Sequence, residues 1–86
     1  MKRTTVKAII KSHGKTLMVK SLPFLKWGYV GGGVKKGEDL KSGLLREIRE
    51  EIGVDLSGFN INYKDSIVYE NYGIIRCCVY YLEFYH

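Results

Sequence analysis

Between Asp39 and Gly53 the chain reads LKSGLLREIREEI, and this stretch restricts the possible folds more than any other. Leu40, Leu44, Leu45, Ile48 and Ile52 recur at helical spacing. Asp39 is a good N-cap residue and Gly53 a good C′ residue, so the pattern predicts one amphipathic helix between them. With about 100° between successive residues, Glu50 lies about −60° and Glu51 about +40° from Glu47, so all three carboxylates share one face. Like charges at this spacing repel by roughly 0.2–0.5 kcal/mol in an isolated helix, and a bound divalent cation would offset that repulsion. Gly43 falls on the same face and costs the helix about 1 kcal/mol relative to alanine. Plain tolerance would account for it, and so would a close approach by the Gly31 to Gly37 loop or by a ligand.

Around this helix the pattern is that of strands. Thr4, Val6, Ala8 and Ile10 alternate with Lys7 and Lys11, which reads as a half-buried strand. Ser12-His13-Gly14-Lys15 has turn chemistry, with His13 exposed at its tip, and leads into a second strand over Thr16 to Lys20, giving a hairpin. Ser21 to Lys26 reads as a loop whose Leu22, Phe24 and Leu25 either pack over the sheet edge or wall a substrate base. Trp27, Tyr29 and Val30 form a short strand entering Gly31-Gly32-Gly33, with Trp27 expected in the core. A polar loop over Asp55 to Asn60 precedes a strand through Ile61, Tyr63, Ile67, Val68 and Tyr69, broken near Lys64-Asp65-Ser66. Glu70-Asn71-Tyr72-Gly73 reads as a turn. The last strand, Ile74 to Tyr85, is apolar on both faces, with Cys77, Val79 and Tyr81 on one and Cys78, Tyr80, Leu82 and Phe84 on the other; such a strand is normally covered on both sides.

At 86 residues the chain makes one domain with a thin core. Its net charge of +5 beside a compact acidic cluster suits phosphorylated substrates, the positive surface attracting polyanions while the cluster takes the metal. No run approaches the roughly 20 apolar residues that cross a bilayer, and the start leads into a strand pattern rather than a signal peptide, so a cytoplasmic protein without membrane association is expected. Cys77 and Cys78 are adjacent and are expected to be reduced sheet residues.

Taken whole, the segment from Gly32 to Val54 has Gly32, five residues to Glu38, seven to Arg46, and then Glu47, Ile48, Glu50, Glu51, Gly53 and Val54 at fixed offsets. It resembles the complete signature of the Nudix hydrolase family. The resemblance implies an α/β fold over residues 1–86, a mixed β-sheet with the Nudix helix on one face and the family's C-terminal helix absent. It further implies hydrolysis of a nucleoside diphosphate linked to another moiety, with Mg2+ or Mn2+, hard cations that favour oxygen ligands. By position, Glu50 and Glu51 resemble the principal metal ligands, Glu47 the third ligand or the group that activates water, and Gly32 (or Gly31 beside it) the residue whose carbonyl reaches the metal. Arg46 and Glu38 resemble the pair that orients the catalytic carboxylates. Glu70, then Glu83, are the candidates for a further acidic ligand. Lys20, Lys26, Lys35 and Arg76 are candidates for holding substrate charge, and Phe24, Trp27, Tyr69 and Tyr72 for stacking on a base.

Lys35 stands where many family members carry glutamate, and Val30 where they often carry proline. Two other functions stay open: removal of a 5′ cap or pyrophosphate from RNA, and a non-catalytic nucleotide-binding or regulatory module. Family domains usually continue for several dozen further residues. The face with Tyr80, Leu82 and Phe84 is therefore expected to be covered by a second copy, in a homodimer or higher oligomer through the C-terminal strand, with a truncated fragment the competing explanation.

Overall fold

The computed structural model describes residues 2–21, 26–70 and 74–84. Strand β1 (Lys2–Ser12) is the spine of the fold. Along one edge it pairs in parallel with β7 (Ile74–Phe84) over its whole length, from Lys2 opposite Ile74 to Ser12 opposite Phe84. Along the other edge it is shared. Its end pairs with β2 (Lys15–Thr16), and its middle, Thr5 to Ala8, pairs antiparallel with β5 (Val30–Gly33). Strand β6 (Asn62–Glu70) lies outside β7, giving a mixed sheet.

That sharing accounts for a departure from the expected hairpin. Ser12 to Lys15 does turn, with His13 at φ 52° and Gly14 at φ 73°, the two positive values a tight hairpin turn requires. Leu17 still donates its N–H to the Ile10 carbonyl at 2.9 Å. Beyond that point β5 occupies the edge of β1, and only one strand can hydrogen-bond there. The chain therefore leaves the sheet, and Val19–Ser21 (β3) pairs with Lys26–Gly28 (β4) in a separate ribbon. The single strand expected over Thr16 to Lys20 is thus two short ones in different sheets.

Helix α1 spans Leu40–Ile52, between Asp39 in extended geometry and Gly53 at φ 72°. The expected helix is present, although the Asp39 side chain makes no capping hydrogen bond. Its Leu44 and Ile48 pack against the even-numbered residues of the sheet: Val6, Ala8 and Ile10 from β1, Cys78, Tyr80 and Leu82 from β7. Val30, Leu56 and Ile61 complete this core. Each fully buried aliphatic side chain contributes about 1.5–3 kcal/mol, which is what holds a helix against a sheet in so short a chain.

Which face of β7 is covered corrects the sequence reading. Tyr80 and Leu82 are 7% and 6% exposed, buried beneath α1's side of the same chain, and Phe84 stacks edge-on against Phe59 with ring centroids 5.2 Å apart. This face needs no second copy to cover it, and both edges of β7 are already paired, so the stated reason for a homodimer through that strand does not hold. Trp27, expected in the core, is 64% exposed because the β3–β4 ribbon carries it away from the sheet. The break expected near Lys64 is a register shift between Tyr63 and Asp65 within a continuous β6.

Candidate active site

The three glycines expected as a loop are strand β5 itself. A Cβ on Gly31 would run into the backbone carbonyl of Val6, so only glycine lets β5 lie this close to β1 at that point. Val34 then donates its N–H to the Thr4 carbonyl at 2.9 Å, and a turn closed by Glu38 N–H to the Lys35 carbonyl at 3.1 Å leads into α1. Strand and helix thereby face each other, with the carboxylates of α1 against the glycine backbone.

Arg46 joins the two. Its Nε and Nη2 donate to the two oxygens of Glu38 at 2.8 and 3.0 Å, a bidentate pair. Nη2 also donates to the Gly33 carbonyl at 2.9 Å. Nη1 donates to Glu47 Oε1 at 3.0 Å and to the Glu50 oxygens at 3.2 and 3.3 Å. One guanidinium thus ties the glycine strand, the helix start and two carboxylates one turn apart.

The charge states follow from these contacts. Arg46, with the Lys35 N–H second, holds the Glu38 carboxyl down from 4.5 to about 2, and Glu38 in turn pushes the Arg46 guanidinium above its ordinary value. Burial raises the Glu51 carboxyl; the Lys7 charge and a hydrogen bond from the Gly31 backbone oppose that rise, while Glu47 and Glu50 add to it. The Glu47 carboxylate lies so near Gly32 that a Cβ there would stand 2.6 Å from it. Gly43 likewise makes room: a Cβ on it would be 3.0 Å from Glu38 Oε1, so the close approach has a specific beneficiary in the Glu38–Arg46 pair.

Among the described residues no three acidic, histidine or cysteine side chains converge into a ready-made metal cage. Arg46 Nη1 bonds both Glu47 and Glu50 and so occupies the space between them. The donor chemistry nevertheless suits a hard divalent cation: the carboxylates of Glu47, Glu50 and Glu51 offer only oxygen donors, and the Glu51 carboxyl is raised partly by the other two.

The NUDIX domain family model matches residues 1–82. This chain belongs to the Nudix family. It is 39% identical over 44 residues to the RNA pyrophosphohydrolase of Campylobacter jejuni (strain 81-176), covering 51% of this chain and 28% of that protein. It is 39% identical over 59 residues to the nucleoside triphosphatase NudI of Escherichia coli O139:H28, covering 63% of this chain and 42% of that protein. The chain therefore spans less than half the length of these curated relatives. Among solved structures, the Escherichia coli ORF135 protein superposes with a TM-score of 0.79 at 29% identity, over 94% of this chain and 60% of that one. A MutT/nudix family protein from Enterococcus faecalis gives 0.85 at 25% identity, over 98% and 37%. The Nudix-like mixed sheet with its helix on one face is the fold observed.

The remaining sequence candidates are scattered. Lys20 sits over the Trp27 ring, 5.8 Å from its centroid, in the β3–β4 ribbon of this Nudix domain. Lys35 is exposed beside Arg3, Lys36 and Glu38 along a groove of ≈ 410 Å³. Arg76 is exposed on β7, between Thr4 and Val68 in register. Lys26 is exposed in β4. Glu83 accepts a hydrogen bond from the Tyr81 hydroxyl at 2.6 Å and pairs in register with Lys11, four residues along β1 from Lys7 and so roughly 13 Å from the glycine strand. Glu70 ends β6, with two strands, β7 and β1, between it and β5. The side chains of Tyr69 and Glu70 lie outside the described residues, as do Phe24 and Tyr72.

Sequence reasoning missed two participants. The Gly33 carbonyl gave no signal, since backbone atoms carry none. Lys7 read only as the solvent side of an alternating strand; its significance depends on the pairing of β1 with the glycine run, a contact 24 residues apart.

Proposed function

We propose that this chain is a metal-dependent hydrolase of a diphosphate linkage in a nucleoside diphosphate derivative or related nucleotide. The observation that carries the reading is the Arg46 network, which holds Glu38, Glu47, Glu50 and the Gly33 carbonyl around one guanidinium inside the matched Nudix domain. Glu50, Glu51, Glu47 and the Gly32 carbonyl would hold Mg2+ or Mn2+, whereas Glu70, three strand spacings (roughly 14 Å) from β5, is too far away to join them. When bound, such a cation screens the diphosphate charge and makes a water more acidic.

The chain's own residues do the rest. Arg46 and Glu38 tie the start of α1 and its carboxylates to β5 through the Gly33 carbonyl. A Glu47 oxygen accepts the proton of the attacking water, whose oxygen bonds to phosphorus as the bridging oxygen leaves with the other phosphate. On the sheet face away from the core, Thr5, Lys7, Ile9, Tyr29, Ile67 and Val79 line an open cleft of ≈ 530 Å³, a size that accommodates a nucleoside. The cleft reaches the glycine strand through Lys7.

Purified protein with Mg2+ or Mn2+ should release phosphate or a nucleoside monophosphate from a panel of nucleotides, and Glu50→Gln should abolish that release. Equal activity in the variant would refute the metal assignment. A second reading, hydrolysis at the 5′ end of RNA, draws on the basic groove of Arg3, Lys35 and Lys36 beside Glu38 and on the Campylobacter jejuni relative's name. Salt-sensitive RNA binding together with release of pyrophosphate from triphosphorylated RNA would favour it. Among the described residues no helix is long and apolar enough to cross a membrane.

A further inference from the structure

Lys7 projects from β1 on the face opposite Val6 and Ala8, half-buried in the wall of the open cleft. Its ammonium stands 3.5 Å from the Gly31 carbonyl oxygen, at the outer limit of a hydrogen bond. None of the ion pairs found among the described residues includes it. Lys64, the other cation lining the cleft, is placed over the Tyr81 ring, 5.3 Å from its centroid. Lys7 therefore presents three N–H donors with one long contact between them, in a partly desolvated position. It also touches both halves of the site. Its stem lines the cleft with Thr5 and Ile9, while its charge reaches Glu51 across the Gly31 peptide.

We propose that Lys7 binds a phosphate oxygen of the substrate, at the point where the group lodged in the cleft meets the diphosphate that a cation on the α1 carboxylates would hold. The inference rests on the diphosphate-hydrolase reading above and names a residue outside the Gly32 to Val54 signature. The long contact to the Gly31 carbonyl would give way to a short charge-assisted bond, roughly twice as strong as a neutral one. The competing role, in which Lys7 serves only to balance the charge of Glu51, makes the opposite prediction. Removing its charge would then strengthen cation binding and leave diphosphate binding unchanged.

Methylenediphosphonate, a diphosphate analogue whose P–C–P bridge resists hydrolysis, separates the two when titrated calorimetrically into the protein in the presence of Mg2+. Lys7→Gln should bind it on the order of 10-fold or more weakly, Lys7→Arg should recover most of the affinity, and KM for whichever nucleotide the wild type hydrolyses should rise in parallel. If Lys7→Gln loses its folded circular dichroism spectrum, Lys7→Met, which keeps the packed stem, is read the same way. An active wild type whose Lys7→Gln or Lys7→Met form binds methylenediphosphonate as tightly as before would overturn the role of Lys7 alone. A folded wild type that neither binds the analogue nor hydrolyses any nucleotide would overturn the diphosphate reading and Lys7 with it.

Discussion

Neighbouring glycines of β5 differ in what they exclude. A Cβ on Gly31 would meet the Val6 backbone, which cannot move without parting β5 from β1. A Cβ on Gly32 would meet only the end of the Glu47 side chain, which can swing aside. Gly31→Ala is therefore expected to lose the cooperative thermal transition, whereas Gly32→Ala should melt within a few degrees of wild type and lose activity on the order of 100-fold, since a displacement of about 1 Å at a catalytic group can cost that much. A folded Gly32→Ala enzyme with wild-type kcat would show that the position of Glu47 does not matter. Glu38 makes a prediction in pH. Its carboxyl is held down from 4.5 to about 2, so its contribution to stability is complete above 4.5 and disappears as pH falls from there toward 2. The difference in melting temperature between wild type and Glu38→Gln should shrink through that window, and a constant difference would mean the Glu38–Arg46 pair does not stabilise the fold.

At the level of elements, α1 was readable because its signals agree: the apolar stripe, the residue types at both ends and the spacing of its carboxylates all specify the same span. Gly53 sits at φ 72° with open space around the position of a Cβ, so its role is conformational and not steric. Gly53→Ala should cost about 1–2 kcal/mol by chemical denaturation and leave kcat of the folded fraction intact, in contrast to Gly32→Ala. The strands were less legible. Alternation identified the buried face of β1, where Lys7 and Lys11 mark the other side. It could not do so for β7, where Cys77 and Val79 look as apolar as Cys78 and Tyr80, and only the position of α1 decides which set is covered. Nor could any local pattern show that Val19 leaves the sheet, because the cause is β5, which begins at Val30, arriving at the β1 edge. The signature residues were legible as a set, while the Gly33 carbonyl and Lys7 are positioned by pairings between distant segments.

The molecule as a whole is asymmetric across its sheet. One face is sealed by α1, Leu56 and Ile61; the other leaves Thr5, Lys7, Ile9 and Val79 around an open cleft, with Tyr29 and Ile67 40% and 45% exposed at its sides. An open apolar surface of this kind marks a place where something binds, and the Lys7 end of the cleft leads to the glycine strand. The stability of the fold comes from the sealed face, so the open face can be altered with little effect on folding. Val79→Trp adds an indole on the cleft side of β7 without touching the core residues Cys78 and Tyr80. It should raise KM for the nucleotide substrate on the order of 10-fold by occupying the space of the nucleoside, with melting temperature within a few degrees of wild type. Inhibition by inorganic pyrophosphate, which needs the carboxylates and the Lys7 ammonium but not the nucleoside space, should stay unchanged. A Val79→Trp enzyme with wild-type KM would place the nucleoside elsewhere, along the Arg3–Lys35–Lys36 groove on the other side of the Glu38–Arg46 pair.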